Sequence, residues 1–267
     1  MNKSQNSGND TSWDKVSGWY ADLLKDDDTY QSKIILPNLL RLMDLQKGEK
    51  ILDLACGSGY FSKEFSKTAK VVGVDLARGL VEIARKNVPN ANFFVSSAEK
   101  LDFLSDKSIS QIVINLAIQN MANPHLVFKE CARVLKPGGR LHLVLNHPAF
   151  RIPKKSEWGW DPSTSLGAGT STGSGQAGIQ YRRIDAYLSE SKEKIQMHPG
   201  SAPSVHTYSF HRPLQYFFKT LGNQNFYVDR LEEWTSNRKS QEGPRAKAEN
   251  TARKEIPLFM YLEAIKK

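Results

Sequence analysis

Asp53, Gly57 and Gly59 fall within one string, ILDLACGSGYFS (residues 51–62), and Asp75 closes a second apolar run, VVGVD (71–75). The apolar residues around Asp53 read as a buried strand, and Phe61 and Phe65, one turn apart, as the start of a helix. The glycines between them let backbone approach a ligand closely, and the following helix offers unpaired N–H groups and the positive end of its dipole. A carboxylate ending the second strand can accept both hydroxyls of a ribose. The combination asks for a nucleotide-like cofactor. A plain tight turn at Gly57–Gly59 and a helix-capping Asp75 are the alternatives, but the two acids at this spacing and the VVGV strand before Asp75 favour a ligand.

Two cofactor classes compete for such a loop. A dinucleotide fingerprint, G-x-G-x-x-G, needs a third glycine where this chain has Ser62, and its pyrophosphate would meet the acid Asp53. S-adenosylmethionine has no phosphate but carries an ammonium and a sulfonium, which suit Asp53. At these residues the chain resembles the class I S-adenosylmethionine-dependent methyltransferases. LDLACGSG (52–59) matches their first motif and Asp75 their ribose-binding acid. Ser97-Ala98-Glu99 matches the adenine-contacting segment after strand three, and LKPGGRLHLV (135–144) the signature before strand five. The resemblance implies Asp53 near the methionine amino group, and Ala55, Cys56, Gly57 and Gly59 beside the methionine moiety. It implies Asp75 and Leu76 at the ribose, Ser97, Ala98 and Glu99 at the adenine, and Asn115 and Leu116 facing the methyl donor. Tyr20 and Tyr30 would close over the cofactor as equivalent aromatics do in relatives, although helix packing explains both, and Glu99 also reads as a surface loop carboxylate. Gln111 stands where many relatives have Asp, a departure with no expected consequence for the cofactor. The resemblance covers about residues 30–146 well and 211–267 more loosely. LNHPAFRIPKKSEWGW (145–160), IQMHPG (195–200), FHRPLQYF (210–217) and LEEW (231–234) resemble a bacterial small-molecule group of the methyltransferase-11/25 type.

The elements that must position these residues alternate along the chain. Strands are expected at 50–55, 71–75, 92–98, 111–117 and 140–146, with helices between them, the last stopped by Lys136-Pro137-Gly138-Gly139. A helix from about Pro213 to Leu221 leads to two final strands, 226–234 and 256–265. Two further helices, Trp13–Leu24 and about Tyr30–Met43 with a bend at Pro37, precede the first strand. The expected fold is α/β: a Rossmann-like, seven-stranded, mostly parallel sheet with helices on both faces, plus a cap insertion after strand five. The expected organisation is a disordered 1–12, a cofactor-binding core over 13–148, a cap over 149–210 and the rest of the same domain over 211–267. Within the cap, 162–178 is Gly, Ser, Thr, Ala or Pro except at Leu166 and Gln176 and reads as a flexible insertion.

With 267 residues, 39% apolar, the chain suits one large domain and excludes global disorder. No stretch approaches the roughly 20 apolar residues of a membrane helix, and no secretory h-region is visible, so a cytoplasmic location is expected. The two cysteines, Cys56 and Cys131, form no CxxC pair, so neither a disulfide framework nor a metal site is expected. The formal charge of +9 lies mostly in the second half and forms no long basic block. A solvated surface explains it, and RNA is the competing partner. His147, after strand five, is the first candidate for a general base, against a histidine packed beside Pro148. His211 and Arg212 open the helix after the cap, where Arg212 can anchor an anionic substrate group or form a structural ion pair. Methyl transfer to an O, N or C nucleophile of a small molecule is the leading function. RNA methylation comes second, and a non-catalytic S-adenosylmethionine-binding protein is the least favoured.

Overall fold

The computed structural model describes residues 13–24, 26–150, 155–162, 178–198 and 202–267. The expectations for 1–12 and for nearly all of 162–178 fall on residues outside these ranges. Seven strands form the main sheet: β1 Lys50–Leu54, β2 Lys70–Asp75, β3 Asn92–Val95, β4 Ile109–Asn115, β5 Leu135–Asn146, β10 Phe226–Trp234 and β11 Phe259–Lys266. Their spatial order is β10-β11-β5-β4-β1-β2-β3, and only β11 runs antiparallel to its neighbours. The seven-stranded, mostly parallel reading is the observed one. The order reverses beside β1, so β1 and β4 diverge into opposite halves of the sheet, and a crevice opens at their carboxyl ends.

Side-chain alternation divides the strands between two helical layers. Leu52, Leu54, Val72, Val74, Ile112, Ile114, Leu141 and Leu143 pack against α5 (Pro124–Val134) and α6 (Leu214–Gly222). Ile51, Val71, Val113, Val144 and Tyr261 pack against α2 (Leu36–Met43) and α3 (Tyr60–Phe65). α4 (Arg78–Asn87) covers β2 and β3 through Val81, Ala84 and Val88. The sheet is apolar on both faces because both are covered.

Several boundaries differ from expectation for local reasons. The first helix begins as a 3₁₀ turn, Asp14–Val16, before α1 (Ser17–Leu23). Pro37 falls just after a π-helical segment, Gln31–Ile35, at the second residue of α2, in one uninterrupted helical run. The Lys136–Gly139 stretch does not stop a helix, since α5 ends at Val134. It is an irregular start to β5, with Gly138 at φ 73°. The cap contains two two-stranded antiparallel sheets, β6 (Ser156–Asp161) with β7 (Ile179–Ile184) and β8 (Ser191–His198) with β9 (Ala202–His211). A further helix, α7 (Ala246–Glu255), buries only Ala252 and left no apolar stripe to read. No helix among the described residues is long and apolar enough to cross a membrane.

Gln111 has a definite structural task. His142 Nδ1 lies 2.7 Å from the Tyr261 hydroxyl and its Nε2 lies 2.9 Å from Gln111 Oε1. The Gln111 amide N–H donates to the Met43 carbonyl at 3.2 Å and to Glu49 at 2.9 Å. With its amide nitrogen donating, Gln111 offers only its oxygen to His142, so Nε2 carries the proton and Nδ1 accepts from Tyr261. This buried line ties β11, β5 and β4 to the end of α2. Burial pulls the His142 pKa down to about 3. Below about pH 6.5 the unfolded chain binds a proton that the folded chain refuses, so this group lowers stability by up to about 1.4 kcal/mol per pH unit down to about pH 3. Urea denaturation from near-neutral to mildly acidic pH is expected to show this added slope in the wild type and its loss in His142→Asn. An unchanged slope in the variant would contradict the assignment.

Candidate active site

The turn after β1 is held by β2. The Ala55 and Cys56 N–H groups both donate to the Val74 carbonyl, at 2.7 and 3.0 Å, and the Gly57 N–H donates to Asp75 Oδ2 at 2.9 Å. Asp75 Oδ1 takes the Ala77 N–H at 2.9 Å, ahead of α4. The loop is tight: Ala55, Gly57 and Gly59 have φ of 64°, 54° and 78°. A non-glycine residue at such φ is strained, and Ala55 bears that strain at the mouth of the crevice. Gly57 lies under Tyr20, whose Cε1 would stand 3.5 Å from a Cβ placed there.

A cavity of about 280 Å³ opens beside this turn. Its walls bring together Tyr20, Ala55, Gly57, Asp75, Leu76, Ser97, Ala98, Glu99, Asn115 and Leu116, ten of the residues expected at a cofactor. Trp13, Ser96, Asn120, Met121 and Ala122 also line it and were not foreseen. Trp13 arrives by packing edge-to-face on Tyr20, at 5.4 Å between ring centroids. Asn120 ends a short 3₁₀ turn, Ile118–Asn120, whose period is too brief to read in sequence, and Met121 and Ala122 follow it. Leu116 takes φ 48° as β4 ends, with its N–H on the Val144 carbonyl at 2.7 Å.

Other expected residues lie elsewhere. Asp53 is buried beneath the loop and accepts the Ser62 hydroxyl at 2.6 Å. Cys56 packs into the Val81, Ala84 and Phe93 cluster, and burial pushes its thiol pKa well up, leaving it inert. Gly59 serves close packing: a Cβ there would stand 3.1 Å from Ala84 Cβ. Tyr30 is outside the cavity walls, packed edge-to-face on Phe259 with its hydroxyl 2.9 Å from Ser236.

The electrostatics of the cavity are acidic and strained. Burial, opposed by the Ser62 hydrogen bond and reinforced by Asp75, pushes the Asp53 pKa up to about 7. Burial also raises Asp75, against the backbone N–H groups it accepts. Burial and these two acids push Tyr20 up to about 12, so it remains a neutral phenol and no base. Asn115 Oδ1 is buried without a hydrogen-bond partner among the described residues. These features fit S-adenosylmethionine. Asp75 suits ribose hydroxyls, a cation would relieve the buried acid pair, Leu76 and Ala98 can flank a planar base, and Gly57 leaves room for a close chain.

The three candidates for catalysis gather in a separate, smaller cleft together with Gln119, Phe150 and Phe210. His147 Nε2 donates to Glu233 at 2.8 Å and its Nδ1 accepts the Ala149 N–H at 3.1 Å. Burial lowers its pKa, partly offset by Glu233. Its lone pair is thus occupied by backbone. His211 Nε2 donates to the Tyr187 carbonyl at 2.7 Å. Arg212 donates through Nη2 to the Met121 and Ala122 carbonyls, at 2.9 and 3.0 Å.

Residues 52–143 match the family model described as a methyltransferase domain. The demethylmenaquinone methyltransferase of Paenarthrobacter aurescens is 33% identical over 112 residues, 41% of this chain and 44% of that protein. The ubiquinone/menaquinone biosynthesis C-methyltransferase UbiE of Haemophilus ducreyi is 39% identical over 111 residues, 38% and 42% of the two chains. The chain thus spans less than half the length of these curated relatives. The structure of an S-adenosylmethionine-dependent methyltransferase from Mesorhizobium loti superposes with a TM-score of 0.66 at 22% identity, covering 90% of this chain and 99% of that one. Residues 52–143 are thus similar to the methyltransferase-domain family, within a chain that shares the Rossmann-like fold of the Mesorhizobium loti structure.

Proposed function

We propose that the chain transfers the methyl group of S-adenosylmethionine to a small-molecule nucleophile. The observation that carries this reading is the convergence of Gly57, Asp75, Ala98, Glu99 and Asn115 on one cavity at the carboxyl ends of the parallel strands. When bound, S-adenosylmethionine supplies an electrophilic methyl on a sulfonium, open to in-line displacement. The chain's own work is alignment and exclusion of water. Asp75 holds the ribose, Asp53 favours the ammonium through its charge from below the loop, Ala98 and Glu99 meet the adenine, and Tyr20 with Trp13 covers the open side. Curated relatives named for menaquinone and ubiquinone biosynthesis support an acceptor of small-molecule type.

The RNA reading draws on the basic residues between β10 and β11. Part of that charge is engaged within the chain: Arg238 binds Asp28, Arg245 lies over the Trp160 ring at 5.0 Å, and Arg253 donates to Ser240. This favours the small-molecule reading.

Transfer of labelled methyl into a cell extract, separated into small-molecule, RNA and protein fractions, tests the function. Label is expected in the small-molecule fraction and lost with Asp75→Ala, whose cofactor affinity should fall by about 1.5–3 kcal/mol for a lost charge-assisted contact. Label in RNA alone would overturn the reading. The pH dependence tests Asp53. In the free protein it takes up a proton below about pH 7, and a cationic ligand must drive that proton off. S-adenosylhomocysteine affinity is therefore expected to weaken as pH falls below about 7, by at most about tenfold per unit. Calorimetry should show this slope in the wild type and a flatter one in Asp53→Asn. Equal slopes would remove Asp53 from the site.

A further inference from the structure

Among the described residues, four buried side-chain polar atoms lack a hydrogen-bond partner, and three of them gather at one stretch. Asn115 Oδ1 and Gln119 Oε1 belong to residues 115–122, and Arg212 Nη1 belongs to the guanidinium bonded to the Met121 and Ala122 carbonyls. Buried polar groups in folded proteins are nearly always paired, so a cluster of exceptions asks for a ligand. The stretch is a partition between two compartments. Asn115, Leu116 and Asn120 face the large cavity, while Gln119 faces the second cleft with Arg212. β9 flanks both, contacting the 118–120 turn and the Asp14–Val16 turn next to Trp13.

Arg212 is a built element of that cleft. Its side chain is 4% exposed, and the rings of Phe210 and Tyr216 lie 4.8 and 5.2 Å from its guanidinium carbon. The carboxylate within reach, Glu190, stands 4.0 Å from Nε and is 59% exposed, so solvent screens it. A buried cation whose Nη1 has no hydrogen-bond partner, with Tyr216 beside it and its one carboxylate neighbour, Glu190, exposed at the limit of an ion pair, favours a closer oxyanion. The cleft measures about 30 Å³, room for a head group the size of a carboxylate or for two waters. Phe150 and Phe210 line it with apolar surface.

We propose that this cleft is the head-group subsite for the methyl acceptor, binding an oxyanion, carboxylate or phenolate, on Arg212 with Gln119 Oε1 accepting a neighbouring donor. The inference rests on the methyltransferase reading and adds the charge class of the acceptor. Held there, the head group is an anchor and not the methylated atom: the rest of the acceptor must reach past residues 115–122 to place its nucleophile in the cofactor cavity. Arg212 then has two tasks, binding the oxyanion through Nη1 and bracing the wall through Nη2.

Calorimetric titration of the full chain, first with S-adenosylhomocysteine and then, once saturated, with benzoate, benzamide and 4-nitrophenolate, tests this. The neutral isostere benzamide is expected to bind about tenfold or more weakly than the better anion, and the anion that binds identifies carboxylate or phenolate as the head group. Arg212→Lys should lose at least about tenfold in anion affinity while S-adenosylhomocysteine still binds, and Gln119→Met should lose less. The wild-type comparison of benzoate with benzamide stands even if Arg212→Lys fails to fold. If both anions bind no better than benzamide while S-adenosylhomocysteine binds, the cleft holds only water and the proposal falls. If S-adenosylhomocysteine itself does not bind, the proposed function falls first.

Discussion

The attachment of the β1 turn to the carboxyl end of β2 is the constraint on which the rest of the site depends. One carbonyl, Val74, receives two consecutive N–H groups, and the next N–H is taken by the Asp75 carboxylate. Those three bonds take the N–H groups of Ala55, Cys56 and Gly57, and Ala55 and Gly57 adopt left-handed conformations. They also orient Asp75, whose second oxygen is taken by the residue opening α4. Loop, acid and helix start are thus one unit, and Tyr20 lies over Gly57, whose φ of 54° favours glycine.

The sheet buries one acid, Asp53, and leaves the other, Asp75, half-buried in the cavity wall. Asp53 is opposite Gly73 on β2 and Val113 on β4, with Ser62 of α3 as its hydrogen-bond donor. A buried carboxylate with one hydroxyl partner is incompletely compensated, which is why its pKa rises. The same side of the sheet carries Gln111, His142 and Tyr261, where every polar atom discussed has a partner. The contrast is physical. The complete network braces the strands, while the incomplete one lies beside a cavity able to receive a cation. The second cleft shows the same division: His147 and His211 are bonded within the chain, whereas Arg212 Nη1 has no hydrogen-bond partner.

How much was legible follows from the range of the interactions involved. Strand–loop–helix alternation and the residues Gly57 and Asp75 are local patterns, because period-2 burial, glycine turns and strand-end acids act over a few neighbours, whereas Ala98 and Glu99 were legible only through the family resemblance. The hairpins of the cap and α7 left weak patterns, since their side chains are largely half-buried or exposed and alternate little. Tyr20 and Tyr30 had equal standing in sequence, yet one covers the loop and the other packs on Phe259. Only the docking of the N-terminal segment, through Asp14 onto the Gly79 N–H, separates them.

By itself, then, the sequence determined the sheet, the glycine turn and the two acids, because backbone pairing and alternation encode them residue by residue. The tertiary structure alone decided which polar groups find partners. It buried Asp53 under the loop, gave Gln111 to His142, tied up His147 between Glu233 and Ala149, and left Arg212 with an unused donor against residues 119–122. Apart from the local Ala149 N–H on His147, those outcomes depend on groups 31 to 91 positions apart in the chain, or in the case of Asp53 on the depth of a fold assembled around it. Satisfaction of a hydrogen bond is a property of where two atoms meet, and no local pattern records it.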